Sequence, residues 1–162
     1  MIEKGGVRFS ACLLPCVVPG LVRWAERRQA EVLRDGDALT GEELELAMQA
    51  GVRAPERIRI QVQEKIPMPD LWWIGQLARN SGLGFEPAGL SLGYAVVVRS
   101  WEGRNTRLVT HEFVHTAQYE RLGGMSLYLS QYLRECLIHG YRDAPMEEEA
   151  VVLTGRIFGW NS

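Results

Sequence analysis

The chain has 162 residues, 46% of them apolar and 23% charged, with a formal net charge of −2. That is length enough for one domain with its own core. The charge supplies neither a basic field for nucleic acid nor an acidic tail, and no run approaches the ~20 apolar residues of a membrane span.

Taken in chain order, the apolar stretch from Ala11 to Val22 is interrupted by Pro15, Pro19 and Gly20. No small-residue cleavage site follows it, so it does not read as a signal peptide. Three cysteines exclude a complete disulfide framework. Cys12 and Cys16 pair with each other or with nothing, and Cys136 falls in a predicted helix as a small core residue. A reducing cytoplasm is the expected location.

Leu21 to Arg34 predicts a helix ended by Gly36, with Arg23, Arg27 and Arg28 on its solvated face. Thr40-Gly-Glu-Glu43 has the form of a capping box that opens a helix stopped by Gly51. Arg57 to Gln63 alternates apolar and polar residues, which predicts a half-buried strand. Asp70 can cap a short helix carrying Trp72 and Trp73. Glycines at 82, 84, 89 and 93 mark turns. Tyr94 to Arg99 predicts a more buried strand, followed by a polar turn from Ser100 to Asn105. Three helices fill the rest: about Thr106 to Leu122 before Gly123-Gly124, about Ser126 to Ile138 before Gly140, and Pro145 to about Gly155. Tyr119, Tyr128 and Tyr132 read as packing within the helical hairpin. The pattern is α+β, with helices packed on a small sheet.

The informative residues are His111-Glu112-Phe113-Val114-His115. Residues four apart stand one turn apart on one helix face, so both imidazoles can bind one ion. Glu112, beside them, can accept a proton from a metal-bound water. Phe113 and Val114 fall on the opposite side, toward a core. Histidine is only 3 of 162 residues, and a random chain of this composition shows the pattern roughly once in 200 times. A catalytic zinc has three protein ligands and one open position. Thr116 to Gly124 contains no histidine, so the third ligand is a carboxylate from elsewhere or His139. The acidic candidates are Glu147, Glu148 and Glu149 at the start of the last helix. Negative charge there also suits the helix dipole, so most of the three need no other explanation.

The motif His111-Glu112-x-x-His115, a helical hairpin, and then Pro145-x-Glu147-x-Glu149-Ala150 together resemble the gluzincin class of zinc metallopeptidases. They are most similar to its small members, the minigluzincins, over about residues 94–155. Gln118 and Tyr119 also match, whereas Val151 stands where related sequences often carry aspartate. The resemblance implies a zincin-like fold, with a small twisted sheet packed against the active-site helix and a C-terminal glutamate helix. Residues 1–162 would form one domain, 1–55 as a helical N-terminal segment and 56–162 as the catalytic core. One Zn2+ per chain would be held by His111, His115 and Glu147, which has Ala150 three positions on; Glu148 and Glu149 are the alternatives. Glu112 would activate the zinc-bound water for peptide hydrolysis. Tyr141, or else His139 or Arg142, would donate to the oxyanion. An extended peptide substrate would pair with an edge strand near Val96, Val97 and Val98. The competing expectations are a latent or non-catalytic zinc module that acts in protein interaction, and a metal-free helical interaction protein.

Overall fold

The computed structural model describes residues 14–69 and 87–159, and in it the strand Ala95–Arg99, apolar up to Val98, lies inside a sheet. The described elements are α1 (Leu14–Asp35), β1 (Asp37–Ala38), α2 (Gly41–Gln49), a 3-10 turn (Pro55–Arg57) and β2 (Arg59–Gln63). After these come β3 (Gly89–Leu92), β4 (Ala95–Arg99), α3 (Thr106–Leu122), α4 (Met125–His139) and α5 (Pro145–Ile157). The strands are ordered β1-β2-β4-β3. β2 and β4 run parallel, and the two outer pairs are antiparallel. The α+β class is therefore as expected. The short helix expected after Asp70, with Trp72 and Trp73, lies outside the described residues, as does Cys12.

All five residues of β4 are buried. Ala95 and Val97 join a core cluster with α1 and α4, while Val96 and Val98 join a second cluster with α2, α3 and α5. A strand covered on both faces reads as an unbroken apolar run rather than an alternation. Each fully buried valine contributes up to ~1.5–3 kcal/mol. This position corrects one expectation: Val96, Val97 and Val98 do not lie on an edge strand. β4 is paired with β2 on one side and β3 on the other, so its backbone is already committed. Among the described residues the strands at the sheet's edges are β1 and β3, and the first residue of β3, Gly89, reads in the sequence as a turn marker.

The N-terminal segment is built into the core. α1 starts at Leu14 rather than Leu21 and accommodates Pro19 inside it. Its apolar face, Val18, Leu21, Ala25 and Val32, packs in the β4–α4 cluster, which outweighs the lost hydrogen bond. Arg23 and Arg27 are exposed, as predicted. The segment is also not wholly helical, because β1 adds to the sheet beside β2.

The capping box of α2 is formed. Glu43 N–H donates to Thr40 Oγ1 at 3.3 Å, and Thr40 N–H donates to Glu43 Oε2 at 2.8 Å. Glu43 has a second partner that sequence reading missed. Arg104, just before α3, donates from Nε to Glu43 Oε1 at 2.7 Å and pairs through Nη2 with Oε2. Burial alone would raise the Glu43 pKa, but the guanidinium and the Thr40 N–H outweigh it and hold the carboxyl below its usual range. One carboxylate thus ties the start of α2 to the start of α3.

α3 ends at Gly123 with φ 85°, and Gly124 enters α4 with φ 138°. Both values lie where a side chain is strained, so the glycine pair is what turns α3 so tightly into α4.

Candidate metal centre

Asn105 caps α3, accepting from Arg107 N–H at 3.0 Å and Leu108 N–H at 3.3 Å. Along the helix, His111, His115 and Gln118 recur at i, i+4 and i+7, which is one stripe. That stripe faces α5. Glu112 and Thr116 form the next stripe, against the β3–β4 hairpin. Thr116 Oγ1 donates to the Gly93 carbonyl at 2.9 Å and lies 3.2 Å from Ser91 Oγ. Phe113 and Val114 turn into the core, as the sequence predicts, and Val109 joins them; all three are at most 1% exposed.

α5 opens on Pro145 without a side-chain cap. Instead, Met146 N–H donates to Glu135 Oε2 at 2.8 Å. Glu147 and Ala150, three apart, are both buried against α3, and the small Ala150 side chain permits the close approach. Glu148 is exposed. Glu149 turns away to accept from Arg121 at 2.8 and 2.7 Å. Of the three acidic alternatives, only Glu147 enters the site.

His111, His115 and Glu147 form a group that could hold a metal ion, with ligand atoms within 4.8 Å of one another. His115 Nε2 lies 3.2 Å from His111 Nε2 and 3.3 Å from Glu147 Oε1, and His111 Nε2 lies 3.4 Å from Glu147 Oε2. Ligands about 2.0–2.1 Å from a tetrahedral zinc stand about 3.3 Å from each other, so the donor spacing fits. The chemistry fits too. The Glu147 side chain is 6% exposed, and among the described residues its ion pairs are with these two imidazoles. A buried carboxylate without Lys or Arg is costly unless a cation is shared.

Two tyrosines complete the surroundings. Tyr132 donates to Glu147 Oε1 at 2.6 Å, and its ring meets that of His115 edge-on at 5.9 Å. The helical spacing of Tyr132 predicts hairpin packing. It does stack on Tyr128 at 6.0 Å, but it also reaches the site. Tyr141 stands beside Glu147 and Glu112, and burial and those carboxylates raise its pKa. His139 and Arg142 are exposed and belong to no ligand group among the described residues.

The two carboxylates are pushed in opposite directions. Burial raises the Glu112 pKa, against the pull of His115 and His111. For Glu147, burial is overcome by hydrogen bonds from His111, His115 and Tyr132, which hold it well below the usual carboxylate range. For His115, burial opposes charge, but Glu147 and Glu112 lift the pKa to about 9. A divalent cation, which binds neutral imidazole, would displace that proton. Two carboxylates separated in this way suit different roles, one as proton acceptor and one as permanent anion.

Gly89 lies directly against Glu112. A Cβ built there would stand 2.5 Å from Glu112 Oε1, so the edge strand's backbone approaches the carboxylate as only glycine permits. In the sequence Gly89 reads as a turn marker, and no local signal identifies its proximity to Glu112.

Of the cysteines, Cys16 is exposed and free. Cys136 is buried, as predicted, and burial pushes its thiol up to about 12. No helix among the described residues is long and apolar enough to cross a membrane. No protein-family model, curated protein or solved structure matches the chain.

Proposed function

We propose that this chain is a zinc-dependent metallopeptidase of the gluzincin type, with a zincin-like fold. The observation that carries the proposal is the convergence of His111, His115 and Glu147 at spacings suited to one tetrahedral ion. In this reading those three residues hold zinc. When bound, zinc supplies Lewis acidity, which polarises a carbonyl and brings the pKa of water toward ~7.

The remaining steps belong to the chain. Glu112 accepts a proton from the attacking water and passes it to the leaving amine. Burial has already raised its affinity for that proton. Tyr141 keeps its proton over the working range and donates a hydrogen bond to the oxyanion that develops. Tyr132 fixes the Glu147 carboxylate through its 2.6 Å bond. An extended peptide adds along β3 rather than β4, because the outer side of β3 has no partner strand among the described residues. There it passes Gly89 and so runs beside Glu112.

The purified chain is expected to contain about one zinc ion and to cleave an unstructured polypeptide. Chelation should end cleavage, and added zinc should restore it. Zinc without cleavage would favour the non-catalytic binding module, and neither zinc nor cleavage would sink both readings. A sharper check is Gly89→Ala. The new methyl group displaces a buried carboxylate by about an ångström, and such misplacement costs ~10²-fold in rate. Zinc content should stay at the wild-type level. Wild-type turnover in this variant would remove Gly89 and Glu112 from the reacting geometry.

A further inference from the structure

Gln118 is fully buried, at 0% exposure, three residues after His115. Its Oε1 lies 2.8 Å from His115 Nδ1. Its Nε2 donates to the Met146 carbonyl at 2.9 Å and to Glu149 Oε2 at 2.9 Å. The two ends of an amide look alike, but here the surroundings assign them. The Met146 carbonyl and the Glu149 carboxylate, which is paired with Arg121, can only accept. Both amide protons are therefore committed to them, and only the oxygen is left to face the ring.

We infer that Gln118 is the positioning residue of the centre, its one amide fixing the tautomer of His115 and the seating of the helix that carries Glu147. The inference rests on the metal-centre reading above. With Oε1 as acceptor, His115 Nδ1 carries the proton. In the neutral ring Nε2 then holds the lone pair, and Nε2 is the atom that faces Glu147 and His111. A ring in the other tautomer would set a lone pair against Oε1 and a proton toward the ion. The second half of the role comes from the Met146 carbonyl, which belongs to the peptide unit that leads into Glu147. The same NH2 group that orients one ligand's partner thus anchors the backbone beside another ligand. Behind it the chain of bonds continues through Glu149 to Arg121, whose side chain is 56% exposed. A surface ion pair is linked by two successive contacts, through Gln118, to the imidazole.

Gln118 supplies the outer partner of His115 from α3 itself. Outer partners of metal-bound histidines typically change affinity 10–100-fold.

The test uses the full chain, zinc as the only metal, and a competing chromogenic chelator. It is paired with two-bond ring nitrogen–proton spectra of the histidines. The wild type should show His115 protonated at Nδ1 and bound through Nε2. Gln118→Met should bind zinc 10–100-fold more weakly and lose the slowly exchanging Nδ1 proton. Glu149→Ala, a change at the partly exposed end of the chain of bonds, should weaken zinc binding less and leave the fold intact. If both variants held zinc as tightly as the wild type with the same ring spectrum, Gln118 would be no more than a buried contact between helices. Should Gln118→Met fail to fold, Glu149→Ala decides, with unchanged affinity overturning the inference. A wild type that takes up no zinc would instead defeat the metal reading, and with it the role assigned to the amide.

Discussion

Glu112→Gln is expected to lower peptide cleavage by about 10²–10⁴-fold, the usual contribution of a positioned proton acceptor, while zinc stays bound. The separation follows from the helix. Glu112 lies on the stripe beside the one that carries His111 and His115, and it is absent from the group able to hold an ion. Glutamine has the same shape, so the contact with Gly89 is preserved and no cavity opens. The loss should therefore fall on kcat and leave KM near its wild-type value. Turnover with a small peptide, measured beside the zinc content of the same preparation, checks it. Undiminished kcat in a zinc-loaded variant would exclude Glu112 as the base.

Glu147→Ala should have the largest effect on metal binding. It removes one of three donors, so its cost should exceed the 10–100-fold seen for outer partners. Zinc at about 1,000 times its dissociation constant stabilises a folded protein by ~4.1 kcal/mol. The wild type should therefore melt at a higher temperature when zinc is added, and Glu147→Ala should respond little. Glu148→Ala is the control, because that residue is exposed and should leave the response intact. Equal zinc shifts in the wild type and Glu147→Ala would remove Glu147 from the ligand set.

Much of this site was legible because it is local. The spacing of His111 and His115 implies a shared face wherever the helix lies. The helix bounds follow from the polar turn that ends at Asn105 and from Gly123, Gly140 and Pro145, signals that act within a turn or two. The choice among Glu147, Glu148 and Glu149 was harder. All three suit a helix start, and only the side from which α5 meets α3 separates them. Ala150 points to Glu147 only through the resemblance to the gluzincins. What could not be read depends on pairing between distant segments. Gly89 to Leu92 has weak strand character and becomes a strand because β4 lies beside it. β4 was correctly read as a buried strand, but its neighbours were not, since an apolar run says nothing about which strands flank it. Tyr132 and Arg104 were missed for the same reason: their partners come from other elements.

The two imidazoles and the proposed base share one helix, which rests on a strand walled in from above and below. Glu147 alone arrives on a separate rod, moored by the apolar packing of Met146 and Ala150 as well as by an amide and an ion pair at the protein's rim. Two of the three candidate donors thus come prefabricated on one helix, and the third depends on how α5 docks. An ion held there would bridge the two helices, so a shift of α5 against α3 would part the proposed ligand set.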